Sequence, residues 1–283
     1  MNKIVYKEQL SADIYKMVIE APLIAEARKP GQFVILQLGG DFNERIPLTI
    51  ADADEEKGTV TLIIQAVGES TKAIVAKNVG ESIENVLGPL GQPTKLGKFG
   101  KVVCVGGGVG VAPMYPIAKA LHEMGNEVKI ILGARNKDLF VMRDEMAAVA
   151  DELIITTDDG SEGRKALVTV PLKELCEEWK PDLVVTIGPP IMMKFCALTT
   201  LPYGVHTIAS LNTIMIDGTG MCGGCRVSIG DETKFVCVDG PEFDAHKVDW
   251  NNMLTRLGTY KPQEEENKHK CRVGITSEKT EAK

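Results

Sequence analysis

The sequence predicts a multidomain chain: an N-terminal antiparallel β-barrel over residues 1–97, an α/β domain with a parallel sheet over 98–205, a small cysteine-rich, metal-binding segment over 206–250 and a C-terminal helix or tail over 251–283. Three observations predict it. Apolar residues alternate with period two up to about Gly97 and then give way to a rhythm of apolar strand, glycine turn and helix. A glycine run, GGGVGVAP, sits at the first such turn. Near the end, three of the seven cysteines are spaced as Cys222-x2-Cys225-x11-Cys237.

The first domain rests on IVYKEQL, DIYKMVIEA, GQFVILQL and TVTLIIQAVG, short segments rich in Val and Ile and separated by Pro30-Gly31, Gly39-Gly40 and Lys57-Gly58. Alternation buries one face of each, which argues an antiparallel barrel or sandwich. STKAIVAKN, residues 70 to 78, is the one stretch that reads as helical there. After GPLGQP, the strands KVVCV, EVKIIL, ELIITT and DLVVTIG alternate with the helical stretches MYPIAKALHEM, DLFVMRDEMAAV and LKELCEEW. Strands joined through helices are parallel and are reached by right-handed crossovers. Residues 207 to 238 carry too few large apolar side chains on any one face for a separate core, so a bound metal is expected to organise them. The mixed-charge KPQEEENKHK reads as a peripheral tail.

Composition excludes several classes. With 32 Lys plus Arg against 39 Asp plus Glu, the chain has no basic stripe for nucleic acid. MNKIVYKEQL lacks the apolar core of a signal peptide, and the apolar runs are too short to span a bilayer, so a cytoplasmic protein without membrane contact is expected. An odd cysteine count scattered over a long chain argues against a disulfide framework. His122 and His206 lack an evident carboxylate relay and read as supporting residues, so no catalytic acid, base or nucleophile is assigned.

GGGVGVAP follows an apolar strand and opens a helix, where glycines let the backbone approach a pyrophosphate and helix N–H groups face it. Gly107, Gly108, Gly110, Ala112 and Pro113 form this turn. The acidic residue expected about twenty positions on is replaced by Gly133-Ala134-Arg135, where Arg135 either meets an adenosine phosphate or ribose or solvates the surface. TTDDGSEG lies after the third strand; Asp158, Asp159 and Ser161, with Gly160 between them, suit ribose hydroxyls, although a plain turn would read the same. Gly188 in GPPIMM leaves room over the sheet edge for the nicotinamide half of a dinucleotide.

In ERIPLTIAD, Arg45 suits a phosphate, while Pro47, Leu48 and Thr49 suit a flat ring needing hydrogen bonds near its reactive nitrogens, as a flavin does. VGESTKAI adds Gly68, Ser70 and Thr71 at a helix start; the plainer account is an N-cap at Ser70 and an exposed arginine.

Cys222 and Cys225 are close enough to share a metal, and Cys237 returns by the hairpin RVSIGDETKFV. Three thiolates and a carboxylate suit a small iron-sulfur cluster, while structural zinc satisfies the same donors. Asp217 is the chosen fourth ligand; Asp239 is expected to cap the returning turn, and Cys271 lies in the tail. A carboxylate donates less charge than a thiolate, so ligation by Asp217 implies a raised cluster potential.

With ERIPLTI, GGGVGVAPMYPIAKAL and ASLNTIMIDGTGMCGGCRVSIGDETKFVCVDGPEFDAHKVDW in this order, the chain resembles the ferredoxin-NADP reductase superfamily over about residues 1 to 250. The resemblance is to its iron-sulfur electron-transfer branch, which contains dihydroorotate dehydrogenase electron-transfer subunits and the small subunits of NADH-dependent reduced ferredoxin:NADP oxidoreductases. LNTIMIDGTG, with Asp217 where the former look for a cysteine, fits the latter better. The resemblance implies FAD at Arg45, Pro47, Leu48, Thr49, Gly68, Ser70 and Thr71. It implies NAD(H) at Gly107, Gly108, Gly110, Ala112, Pro113, Asp158, Gly160 and Ser161, and a [2Fe-2S] cluster on Asp217, Cys222, Cys225 and Cys237. It also implies a large partner subunit with a second flavin, [4Fe-4S] clusters and an NADPH site, through which ferredoxin is reached in an electron-bifurcating complex.

Overall fold

The computed structural model describes residues 2–40 and 44–263. Seven strands form the first unit: β1 (Asn2–Gln9), β2 (Ile14–Glu20), β3 (Phe33–Gln37), β4 (Ile46–Asp54), β5 (Thr59–Gln65), β6 (Ser82–Ile83) and β7 (Asn85–Leu90). They pair antiparallel in the order β6-β1-β2-β5-β4-β3-β7. The edge strands β6 and β7 are separated in sequence by Glu84 alone, so the sheet nearly closes into a barrel. Ile4, Met17, Ile19, Val34, Leu36, Val60, Leu62 and Ile64 fill it, as period-two alternation requires.

Besides α2 (Glu69–Ala76), this unit has a second helix that the alternation did not reveal, α1 (Pro22–Ala27). Its six residues bury only Ile24 and Ala25, too little to register as helical periodicity, and Pro22 at its start is the one local signal. β6 and β7 were also missed, because ESIENVLGPL is short and interrupted by Gly88-Pro89.

The second sheet comprises β8 (Lys101–Gly107), β9 (Glu127–Ala134), β10 (Glu152–Thr157), β11 (Arg164–Lys165), β12 (Leu183–Ile187) and β13 (His206–Ser210), all parallel. Helices α3 (Val111–Glu123), α4 (Arg143–Ala148), α5 (Thr169–Glu178) and α6 (Pro190–Thr200) connect them. Strand order is β11-β10-β9-β8-β12-β13-β16, so the sheet runs past residue 205: β13 and an antiparallel edge strand, β16 (Glu242–Asp244), come from the segment assigned to the metal. His122 does meet a carboxylate, Asp151 at 3.8 Å. That pair lies at the C-terminal end of α3 and the start of β10, the edge of the sheet opposite its ligand-binding ends.

The cysteine segment adds the hairpin β14 (Arg226–Ile229) and β15 (Glu232–Phe235), the short helix α7 (Val236–Asp239) and, after β16, helix α8 (Trp250–Leu257). It builds its core with borrowed surfaces. Cys225, Val227, Val236 and Cys237 pack with Phe33 and Ile35 of the barrel, Met193 and Ala197 of α6, and Trp250 and Met253 of α8. Strand β3 is therefore buried on both faces, with Val34 and Leu36 inward and Phe33 and Ile35 under the cysteine segment. Cys271 and the rest of the tail lie outside the described residues.

Candidate functional site

β4 is the wall on which the site is built. Its register with β3 sets Phe33 opposite Thr49, Val34 opposite Leu48 and Ile35 opposite Pro47. Directly opposed residues share a face, so Pro47 and Thr49 stand on the outer surface of the barrel. Leu48 faces the other way, its side chain packed against the barrel core, so it offers its backbone to the outer surface. Arg45 precedes the strand and is exposed. Ser70 Oγ donates to the Glu44 carboxylate, which brings the start of α2 beside the start of β4. Gly68, not Ser70, occupies the N-cap of α2: its N–H donates to Thr71 Oγ1 at 3.0 Å, and that hydroxyl returns a bond to Gly68 O at 3.1 Å. Arg45, Gly68, Ser70 and Thr71 thus gather at one corner with a cation, helix N–H groups and hydroxyls, a chemistry suited to phosphates.

On one side of β4 lies α3. Ala112 and Met114 share a core with Ala51 of β4 and with Ile14 and Ile63 of neighbouring strands. Helix α3 leaves the end of β8, and the strand order reverses between β8 and β12, the point at which open α/β sheets take up ligands. Glycine is required there by contact: a Cβ on Gly110 would lie 2.5 Å from Ile187 O and 2.7 Å from Gly188 Cα, and one on Gly107 would lie 2.4 Å from Met192 Sδ. Gly108 opens to free space. Pro113 sits in the first turn of α3, where a missing N–H costs no helical bond.

The rim of this crevice is tied by Asp158 N to Ala134 O at 3.1 Å and Asp159 N to Arg135 O at 3.2 Å. Ser161 Oγ accepts from Lys137 N at 2.9 Å, and Asp159 Oδ1 accepts from Ser161 N at 2.9 Å; the Ser161 side chain first, and its backbone N–H second, hold the Asp159 carboxyl below its ordinary value. Asp159 and Ser161 therefore shape the turn around Gly160, while Arg135 and Asp158 are exposed on its crest.

On the other side of β4, across β3, lies the cysteine loop. Gly218 takes a φ of +77°, and a Cβ there would lie 2.4 Å from Ile35 Cδ1 and 2.8 Å from Leu90 Cδ1. The loop is thus seated on the residue paired with Pro47. Its shape comes from Asp217, whose Oδ1 accepts from Thr219 N and Oγ1 and whose Oδ2 accepts from Cys222 N. The bond from Thr219 N, with those from Cys222 behind it, lowers the Asp217 carboxyl to about 2 against the opposing effect of desolvation.

The sulfurs of Cys225 and Cys237 stand 3.2 Å apart and are buried, while Cys222 is exposed at the rim. Gly224 N donates to Cys222 Sγ and Cys237 N to Cys225 Sγ, both at 3.4 Å. Amides directed at sulfur are what a cluster-bearing thiolate loop requires, so the donor set fits iron-sulfur chemistry. Burial, reinforced by the bond with Cys225, pushes the Cys237 thiol up to about 12, so its thiolate form needs a cation beside it. Among the described residues no three His, Cys, Asp or Glu side chains are drawn together tightly enough to hold one metal ion, and Asp217 stands out as the loop's organiser. Asp239 caps the return, its Oδ2 accepting from Phe235 N at 2.6 Å. Cys104, Cys176 and Cys196 are core thiols raised by burial to about 12, 11 and 12.

A barrel wall, a glycine-built crevice and a cysteine loop meeting along one strand define an NAD-binding, iron-sulfur flavoprotein oxidoreductase with the ferredoxin-NADP reductase fold. Residues 104–197 match the family described as oxidoreductase NAD-binding domain, and residues 212–249 match the iron-sulfur cluster binding domain of dihydroorotate dehydrogenase B. A curated relative from Thermotoga maritima, a dihydroorotate dehydrogenase B (NAD(+)) electron transfer subunit homolog, is 46% identical over 93% of each chain. The chain belongs to this family of electron transfer subunits and their homologues. In the solved structure of an NADH-dependent reduced ferredoxin-NADP oxidoreductase, described for flavin-based electron bifurcation, one chain is 44% identical with a TM-score of 0.90, covering 96% of this chain and 98% of that one. A ferredoxin NADP+ reductase from Neisseria gonorrhoeae with bound FAD and NADP, 16% identical with a TM-score of 0.57 over 72% of this chain and 90% of that one, shares the fold alone. No helix among the described residues is long and apolar enough to cross a membrane.

Proposed function

We propose that the chain is the electron-transfer subunit of a flavin-based electron-bifurcating transhydrogenase, acting on NAD(H) and coupled through a large subunit to NADPH and ferredoxin. One observation carries this reading: β4 is flanked on one side by the nucleotide helix α3 and on the other, through Ile35, by the cysteine loop. When bound, FAD exchanges hydride with nicotinamide and single electrons with an iron-sulfur centre, the conversion a two-electron to one-electron junction needs.

The chain's own residues do the positioning. Pro47 and Thr49 with their side chains and Leu48 with its backbone would hold the isoalloxazine, Thr49 supplying a hydroxyl. Arg45, Gly68, Ser70 and Thr71 hold the diphosphate. Gly107, Gly108, Gly110, Ala112 and Pro113 admit the nicotinamide nucleotide to the crevice, and Arg135, Asp158, Gly160 and Ser161 form the rim along its adenosine half. Cys222, Cys225 and Cys237 hold a [2Fe-2S] cluster with Asp217 as the fourth ligand. No side chain acts as nucleophile, so rate depends on alignment and on the dryness of the crease between barrel and sheet.

Anaerobic purification with native partners, followed by cofactor extraction and metal analysis, tests the reading. FAD, iron and sulfide in this chain, with a large [4Fe-4S] flavoprotein beside it, are expected. A TIM-barrel partner carrying FMN would instead make it a dihydroorotate dehydrogenase subunit. Colourless protein containing zinc would overturn both.

A further inference from the structure

One carboxylate in the crease between barrel and sheet takes no part in the sites above. Glu242 opens β16 opposite Ser210 of β13 and turns its side chain toward the linker that joins barrel to sheet. There Oε1 accepts the hydroxyl of buried Thr94 at 2.5 Å. Gly31, at the entry to β3, closes the third side: a Cβ on it would lie 2.3 Å from Thr94 Oγ1 and 2.8 Å from Glu242 Oε1. The linker is tied both ways around this contact. Thr94 N donates to Pro30 O at 2.9 Å on the barrel, and Gln92 N donates to Gly240 O at 2.6 Å on the cysteine segment.

Among the described residues the Thr94 hydroxyl is the one side-chain group bonded to Glu242, the buried Cys104 thiol of β8 feels its charge, and no Lys, Arg or His acts on it. Burial pushes its carboxyl up to about 7 while the Thr94 bond opposes the shift, and alone among the displaced carboxylates of the described residues it moves upward. Gly31 lies two residues before Phe33, the partner of Thr49, and Gln32 O accepts from Ile50 N at 3.1 Å. Two strand positions, about 7 Å, separate this corner from the stretch proposed to face the flavin.

The chemistry leaves something for such a group to do. Resting on the function proposed above, a hydride taken from NADH carries two electrons and one proton. An iron centre on Cys222, Cys225 and Cys237 passes electrons one at a time and no proton. One proton per NADH oxidised must therefore be held by a side chain or released to water. We propose that Glu242, hydrogen-bonded to Thr94, is the proton-holding residue of this junction. Its carboxylate forms an O–H bond as the electrons depart toward the partner, and it returns the proton when electrons flow back to NAD+. Thr94 acts as a positioning residue, since its hydroxyl fixes the acceptor oxygen.

Electrochemically poised infrared difference spectra of the loaded full chain, with Glu242→Gln and Thr94→Val beside the wild type, read the proton directly. In wild type, reoxidation of the reduced chain near pH 7 should produce a protonated-carboxyl C=O band that shifts in heavy water, and reduction should remove it. The band should vanish in Glu242→Gln and change frequency in Thr94→Val, and the flavin midpoint should lose part of its pH slope between pH 6 and 8 in Glu242→Gln. Reoxidised wild type without the band, or an unchanged band in Glu242→Gln, would overturn the inference while leaving the functional reading intact. A chain that binds neither flavin nor iron would contradict the functional reading and this inference with it.

Discussion

The crevice at the ends of β8 and β12 and the loop around Cys222 prepare for their ligands by opposite means. The crevice is made by leaving atoms out: Gly107 and Gly110 sit where any Cβ would strike Met192 or the Ile187 carbonyl. The loop is made by putting atoms in, with Asp217 drawing the Thr219 and Cys222 amides around itself and two further amides pointing at sulfur. The first should fail when a methyl group is added, the second when a side chain is removed. Ile35 and Pro47 join the two, so damage on one side should leave the other loaded.

The largest effect is expected at the sulfurs. Cys225→Ser or Cys237→Ser should reduce iron content to background while FAD remains, as metal analysis and visible absorption would report; retention of a full iron complement would refute the assigned ligands. Gly110→Ala comes next. It should cost roughly 1–3 kcal/mol of stability by overpacking and weaken NADH binding at least about tenfold, with iron content unchanged. Equal loss of iron in that variant would break the separation of the two regions.

Replacing Asp217 sharpens the comparison, because its present bonds are to the loop itself. Asp217→Cys should retain iron and lower the cluster midpoint, on the order of 100 mV if the carboxylate is a ligand. A midpoint that does not fall would restrict Asp217 to organising the loop.

Glu242 offers a smaller, pH-dependent effect. Its folded-state pKa of about 7 exceeds the value of about 4.3 for an unfolded glutamate, so the native state holds a proton that the unfolded chain has released. The stabilisation is complete below the unfolded value and is lost as pH rises toward and through 7. Glu242→Gln should therefore flatten the melting temperature between pH 5 and 8 and exceed wild type at the upper end, by about 2 kcal/mol or less. The smallest effect is expected from Arg135→Ala, an exposed rim residue: about a tenfold or smaller rise in KM for the nucleotide, with kcat unchanged.

Features written in local pattern were legible in the sequence. Period-two strands gave the barrel, the glycine run after KVVCV marked the crevice, and the cysteine spacing marked the loop. Features created by distant contact were not. β6 has two residues and β7 is interrupted by Gly88-Pro89, so neither carries a period, and α1 buries two residues. Leu48 looked like its neighbours until its pairing with Val34 turned it inward. The sheet's continuation through β13 and β16 depends on a return of the chain more than thirty residues later, which local pattern does not encode. Glu242 had no signal in DGPEF, because what distinguishes it is the arrival of Thr94 and Gly31 from the other domain.

The account depends most on the closeness of flavin wall and cysteine loop along β3 and β4. Rapid mixing of the anaerobic, cofactor-loaded chain with NADH, followed across the visible range, measures it. Flavin absorption should bleach first and iron-centre absorption should follow within the same chain. An iron centre that stays oxidised, although its potential measured in the same preparation permits reduction, would contradict it.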